Sequence, residues 1–555
     1  MGKSIFKRAL LVMCCVAYAQ HASARPEDYT LDLVLPEQVI PEVYRSHEEA
    51  VTLGTDPWTA FLSTIPGFSQ IHWGIALQGL NPFAENLSDP MVPASVQKII
   101  TAASAFRNLG SNARYENYFE ANYDAATTIA SDVKFTVSGD PTWGHSEYEG
   151  FGDRIAKVIS ELQAKGITQV NGDVAIVSTR PELDTLSRPS GWPIRWTNRC
   201  MATMPSTFMM NGNCGSIKVT TPTTAVWTTP GVDLPIHLNI VSGATNNLTI
   251  TVEQDSLLRI TAYTISGTFN SVTSFFHDPL QSAADVYDSF PVYFGTRWLK
   301  NLFIQALAAN QIAYSPNGLS VMTPTPVPVV ITPPVVSTSP TPQDPSSPLQ
   351  PADPDSPVVQ APVTTSAMMV DLSSAPLKSI LQTAVSKSIN AVLDRTYFET
   401  AHVLNLNDPS VASIGILRDL VQDENLMTGI QTFDGSGLVV DDRLRADTVY
   451  SFLSHIKGES YFSDFLSVLA VSGIAGTLVN RLTGPLTKGN VFAKTGTINN
   501  YYNLVGYFRT DAQTLEPFAV FTRSNQTASS VQVKIDQIVT EFAKLNSPLM
   551  QSNTH

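Results

Sequence analysis

The chain has 555 residues, 43% of them hydrophobic and only 15% charged, enough apolar material for about two to four domains around sizeable buried cores. Its formal charge of −14 argues against nucleic acid as a partner and gives no general attraction to an anionic substrate, so recognition of a carboxylate has to come from local cations. His and Cys do not cluster at ligand spacing, which leaves a metal site without support.

Lys3, Lys7 and Arg8 precede an apolar run over 9–17, and two Ala-x-Ala sites follow, Ala17-Tyr18-Ala19 and Ala22-Ser23-Ala24. This is the layout of a secretory signal peptide over 1–24, cleaved after Ala19 or Ala24, with an apolar core too short to span a bilayer. No later stretch is long enough either, so the mature chain is expected to be exported to the periplasm and not to span a membrane. Loss of the signal leaves 31 cations against 48 acids, a formal charge of −17. Cys14 and Cys15 leave with it. Cys200 and Cys214 remain and, in an oxidising compartment, read as one disulfide closing a loop of about 15 residues, worth about 3 kcal/mol at most. A pair of free buried thiols is the alternative.

Residues 41–60 suit a helix and 70–77 a strand. From Pro93 onward Ile99, Ile100, Ala103, Phe106 and Leu109 recur at three and four, which predicts an amphipathic helix ending near Gly110. Pro93 suits its first turn. Ser95 and Lys98 are three apart and share a face of that helix, which brings an amine to a hydroxyl. Ser95 also sits at the positive end of the helix dipole, where a developing oxyanion is favoured. A lysine beside Ile99 and Ile100 loses its charge more readily and can serve as the base for a serine nucleophile. The Ser-x-x-Lys spacing alone is weak, since Ser4-Ile5-Phe6-Lys7 and Ser454-His455-Ile456-Lys457 carry it too. The plain reading of a single copy is a lysine snorkelling out of an ordinary helix.

Further on, 133–137 alternate as a strand and stop at the turn Ser138-Gly139-Asp140-Pro141-Thr142; a helix up to Gly166 and a strand-turn-strand over 169–177 follow. Short strands are expected over 216–220, 236–241, 248–252 and 258–267, then a helix over 298–310. Residues 324–362 hold 13 prolines in 39 positions. Such a segment lacks the donors for regular structure and reads as a linker or exposed loop, with a polyproline-reading partner or the cell wall as the other possibility. Residues 375–401 then read as a helix carrying Ser388 and Asn390. The turn Asp434-Gly435-Ser436-Gly437 follows, and Gly489-Asn490-Val491-Phe492-Ala493 runs as a strand into Lys494-Thr495-Gly496-Thr497. Residues 502–508 and 517–522 suit an antiparallel meander, and a helix with Val531, Ile535, Ile538, Val539 and Phe542 on one face closes the chain.

In the order Ser95-x-x-Lys98, Ser388-x-Asn390, Lys494-Thr495-Gly496, three short motifs supply a nucleophile, a proton shuttle and a carboxylate clamp. On these residues the chain resembles the class C low-molecular-mass penicillin-binding proteins, which are D-alanyl-D-alanine carboxypeptidases and endopeptidases. The Ser138 to Thr142 turn, Gly191-Trp192-Pro193, the Cys200/Cys214 pair and the segment 471–478 are similar to that family as well. The resemblance implies an α+β fold: a serine β-lactamase/transpeptidase-like domain, helices around an antiparallel sheet, divided by one or more inserted β-rich accessory domains. The expected division is a signal peptide 1–24, a first catalytic part 25–115, the insert 116–322, a Pro-rich linker or loop 323–366, a second catalytic part 367–546 and a flexible tail 547–555.

The resemblance also implies roles. Lys98 would take the proton of Ser95, Ser388 would relay it to the leaving amine, and Asn390 would hold the peptide amide and orient Lys98. Lys494 and Thr495 would hold the substrate carboxylate, Gly496 would let the substrate strand approach, and the N–H groups of Ser95 and Thr497 would form the oxyanion hole. No metal or organic cofactor is required. The implied partners are peptidoglycan peptides ending in D-Ala-D-Ala, and β-lactams. A secreted β-lactamase-like esterase and a catalytically silent peptidoglycan-binding homologue are the competing readings. Two positions depart from the family pattern: Ile389 stands where a polar residue is common, and Asn211-Gly212-Asn213 stands where an acid is expected to read a side-chain amine. Oligomeric state is not readable.

Overall fold

The computed structural model describes residues 57–150, 152–189, 191–245, 247–270, 289–293, 295–316, 365–406, 409–421, 423–510 and 514–547. The expected signal peptide, nearly all of the Pro-rich segment and the tail from 548 lie outside these residues, as does most of the helix expected over 41–60, whose end falls in a short helix Pro57–Leu62.

Two strands, β1 (His72–Leu77) and β2 (Phe83–Glu85), pair antiparallel and begin the main sheet. A 3-10 turn, Ala94–Val96, then leads straight into α1 (Gln97–Asn108). Ten consecutive residues of α1, Gln97 to Phe106, are buried. The apolar stripe read from the sequence is therefore only part of what this helix covers, because other helices pack around it.

The chain next builds the insert. β3 (Tyr118–Asp124), β4 (Ile129–Val137), α2 (Asp153–Ala164), β5 (Gln169–Asn171) and β6 (Ala175–Ser178) come first. Two three-stranded sheets follow: β7 (Cys214–Thr221) and β8 (Thr224–Trp227) with β12 (Ser289–Pro291), and β9 (Ile236–Ser242), β10 (Asn247–Gln254) and β11 (Ile260–Phe269). α3 (Gly295–Ala309), β13 (Ala313–Ser315) and β14 (Ser366–Asp371) complete the insert, whose larger sheet has the order β13-β5-β4-β3-β14, with β6 also paired to β4. Phe119, Phe135 and Phe303 interlock at its centre, the two sheet rings 5.0 Å apart in an edge-to-face pair. Because β14 pairs antiparallel with β3, this sheet runs past the expected boundary at 366.

On its return the chain forms α4 (Leu377–Ser386), α5 (Asn390–Val403), α6 (Pro409–Val421), α7 (Ala446–Ile456) and α8 (Phe462–Val468). It then finishes the main sheet with β15 (Ala470–Val471), β16 (Val491–Ile498), β17 (Tyr501–Arg509) and β18 (Leu515–Arg523), and ends in α9 (Ala528–Asn546). The strand order β15-β16-β17-β18-β1-β2 is antiparallel throughout and joins the two halves of the sequence at the β18–β1 pair. β17 is buried without alternation from Tyr502 to Phe508, which a sheet covered on both faces requires. Val505 and Tyr507 join the core of α1, α4, α5 and α7, while Phe508 meets Phe542 of α9 with ring centroids 6.2 Å apart.

The helix expected over 375–401 is two helices. α4 ends at Ser386, Ser388 adopts φ 64°, and α5 begins at Asn390. The N–H groups of Ser388 and Ile389 donate to the carbonyls of Val385 (3.2 Å) and Ala384 (2.8 Å), closing α4 with a left-handed turn.

Candidate active site

Ser95 lies in the 3-10 turn that opens α1, and Lys98 follows three residues on. Lys98 Nζ is 2.8 Å from Ser95 Oγ and donates to the Ser436 carbonyl at 2.7 Å. Lys98 is fully buried. Burial drives its ammonium down to about 8, against the charges of Asp394 and Asp434, which pull it back up.

The Ser436 carbonyl is fixed by the loop it belongs to. Asp434 accepts from the N–H groups of Ser436 (3.1 Å) and Gly437 (2.5 Å) on one carboxylate oxygen, and from Leu438 (3.0 Å), Val439 (3.1 Å) and Trp192 Nε1 (2.7 Å) on the other. Outside contacts hold the same loop: Thr101 of α1 donates to the Gly435 carbonyl at 2.8 Å and Ser413 of α6 to the Asp434 carbonyl at 3.2 Å. At Gly437 (φ 77°) a Cβ would lie 1.9 Å from the Ala94 carbonyl oxygen, so only glycine lets the loop close on the Ser95 turn. Asp394 of α5 accepts from the Gly435 N–H at 3.1 Å. Burial, and next the charge of Asp434, push the Asp394 carboxyl well above the usual carboxylate range.

Ser388 and Lys494 form a second pair, with Lys494 Nζ donating to Ser388 Oγ at 3.0 Å and to the Thr495 carbonyl at 3.0 Å. Lys494 is fully buried, and burial first, then the charge of Lys98, pulls its ammonium well below the usual lysine range. Thr495 on β16 bonds Thr477 at 3.0 Å, and the Thr497 side chain is exposed. At Gly496 a Cβ would sit 2.4 Å from the Pro93 carbonyl oxygen, so the absent side chain lets β16 press on the turn that presents Ser95. Asn503, opposite Gly496 in β17, completes this seam by donating to the carbonyls of Val92 (3.0 Å) and Pro93 (2.9 Å). β15 pairs only with Phe492 and Ala493, so among the described residues the edge of β16 from Lys494 onward is open to an added strand.

The structure thus brings Ser95, Lys98, Ser388, Lys494, Thr495 and Gly496 into one cleft. Asn390 opens α5, and its Nδ2 donates to the Met201 carbonyl of the insert at 2.7 Å. The backbone carbonyl that Lys98 Nζ donates to is that of Ser436. Met201 adjoins Cys200, which is joined to Cys214 as a disulfide with Cα atoms 5.7 Å apart. Asp394, Asn503 and Trp192 are residues that sequence reasoning did not place at the site, and it read the Asp434 turn as structural, though similar to an element near the site in class C relatives. Their signals were present: a polar residue within an otherwise apolar strand at Asn503, and an acid set before Gly-Ser-Gly at Asp434.

The sequence model of the D-Ala-D-Ala carboxypeptidase 3 (S13) family matches residues 64–255 and 356–543. D-alanyl-D-alanine carboxypeptidase DacB of Haemophilus influenzae is 29% identical over 140 residues, 24% of this chain and 29% of that protein. Carboxypeptidase DacB of Mycolicibacterium smegmatis is 25% identical over 177 residues, 31% of this chain and 38% of that protein. These two matches span less than two fifths of the curated relatives' lengths. In three dimensions, penicillin binding protein 4 of H. influenzae superposes with a TM-score of 0.60 at 17% identity, over 88% of this chain and 99% of that one, so the two share a fold. The same protein complexed with a β-lactam superposes with a TM-score of 0.58.

Proposed function

The chain belongs to the D-Ala-D-Ala carboxypeptidase 3 (S13) family, and from that membership and the geometry of its cleft we propose that it is a serine-type D-Ala-D-Ala carboxypeptidase and DD-endopeptidase acting on peptidoglycan peptides. The observation that carries this reading is the 2.8 Å contact between Ser95 Oγ and a fully buried Lys98. An amine held at about 8 is neutral often enough near physiological pH to accept the serine proton.

The substrate lies along the open edge of β16, its terminal carboxylate on Lys494 and Thr495. Lys98 takes the proton as Ser95 Oγ attacks the carbonyl carbon of the penultimate D-alanine, and the oxyanion forms at the start of α1, where Ser95 and Thr497 offer N–H groups. The C–N bond then breaks. The leaving amine receives a proton through Ser388, which Lys494 holds in place, and the acyl group stays on Ser95 as an ester. Water attacks that ester, its proton passing through Lys98 to Ser95 Oγ as the ester C–O bond breaks, and frees the shortened peptide. A β-lactam enters the same sequence at Ser95 and leaves slowly. Action on the cell wall requires export, which fits the Ala-x-Ala sites before residue 25; among the described residues no helix is long and apolar enough to cross a membrane.

Labelling with a fluorescent penicillin tests the reading. Wild type is expected to take one label and Ser95→Ala none, with wild type releasing D-alanine from a pentapeptide. An unlabelled wild type would point to the silent homologue, and ester turnover without D-alanine release to the esterase.

A further inference from the structure

One path from the inserted segment to the catalytic lysine runs through the carboxylate of Asp434. Asp434 is 3% exposed and accepts five N–H donors, four from its own loop and the fifth from Trp192, which lies in the insert between β6 and β7. Burial raises the proton affinity of Asp434, and the five N–H donors converging on its two oxygens oppose that and favour the ionised carboxylate. Asp394 accepts one N–H donor, so it is the less fully bonded member of the pair. The loop wound on Asp434 ends its first turn at Ser436, whose carbonyl holds Lys98 Nζ at 2.7 Å, and a second tie from the insert, Val440 N–H to the Gly191 carbonyl at 3.2 Å, lies beside the Trp192 bond.

We propose that Asp434 is a positioning residue for Lys98, acting through the Ser436 carbonyl, and that Trp192 completes it, so that the insert helps to set the geometry of the catalytic base. This rests on the reading of Ser95 and Lys98 given above. The charged and titratable groups facing Lys98 are Asp434, Asp394 of α5 and Lys494 of β16; Asp442 faces Asp434 from the same loop. Of these, Asp434 both carries a negative charge and shapes the backbone that Lys98 touches, so its removal has two separable signatures.

The test is the rate of acylation by a fluorescent penicillin, measured against pH on the full chain, with thermal unfolding to show that each variant is folded. Asp434→Asn turns an acceptor into an NH2 facing N–H groups and removes the charge. The maximal rate is expected to fall about 100-fold, and the acid limb to move to lower pH because Lys98 loses one group that retains its proton. Trp192→Phe removes one donor and keeps the charge, so the rate is expected to fall about tenfold with the acid limb unmoved. A folded Asp434→Asn variant with wild-type rates, or one slowed with its acid limb in place, overturns the proposal. If that variant does not fold, Trp192→Phe decides: a wild-type rate overturns the proposal and a tenfold loss upholds it. A wild type that takes no penicillin defeats the underlying reading instead, and needs no variant to be seen.

Discussion

Lys98 and Lys494 are both fully buried and face the same cleft, yet the protein surrounds them differently. Lys98 stands on the helical wall, where Asp394 and Asp434 offset part of the penalty of burying an ammonium and hold it at about 8. Lys494 stands where β16 runs past the end of β15, with a hydroxyl and a carbonyl as partners, and the nearby charge of Lys98 adds to its desolvation instead of relieving it. The base has its counter-charges built in. Lys494 shows none among the described residues, and on the proposed reading the substrate carboxylate would supply one.

This contrast breaks first at Lys98. Lys98→Ala removes the proton acceptor itself, so acylation by a β-lactam should fall about 1,000-fold while the variant still folds. Rates within tenfold of wild type would show that another group takes the serine proton. The companion measurement is the pH profile of wild-type acylation. The neutral amine is the active form, so the acylation rate at saturating β-lactam, where carboxylate binding by Lys494 no longer limits, should fall as pH drops through about 8, reaching roughly one hundredth of the maximum two units below it. A profile flat between pH 6 and 9 would remove Lys98 as the titrating base.

The same contrast marks what the sequence discloses. Ser95, Lys98 and Lys494-Thr495-Gly496 are local motifs whose chemistry follows from spacing, and the strands of the meander announce themselves by apolar runs. Asn503 acts across folds of the chain, reaching carbonyls 410 and 411 positions away, Asp434 joins its local loop bonds to Trp192, 242 positions away, and Lys98 donates to a backbone carbonyl 338 positions away, which no side-chain motif encodes. The break between α4 and α5 was equally hidden. A serine at φ 64° ends α4 where glycine or asparagine would have signalled a stop, and the apolar positions on either side continue a helical pattern. Short strands such as β2, β8 and β14 carry too few residues for a period to show.

Lys494→Ala sharpens the comparison with a smaller effect than either measurement on Lys98. Charge-assisted bonds to a carboxylate are worth about 1.5–3 kcal/mol, so kcat/KM for a peptide ending in a free carboxylate should fall about 10- to 100-fold. A peptide ending in an amide offers no counter-charge, and wild type should already turn it over slowly; the substitution should cost it little more. That non-additivity separates a clamp from a residue that only supports β16, since a structural role would slow both peptides alike. The pH dependence has the opposite sign to that of Lys98. Lys494 binds the carboxylate as an ammonium, and with its proton affinity lowered by burial and by Lys98, rising pH should weaken recognition of the free carboxylate while it frees the base. The two lysines therefore give kcat/KM a bell shape for the carboxylate-ended peptide, and Lys494→Ala should remove the alkaline limb while leaving the acid limb in place.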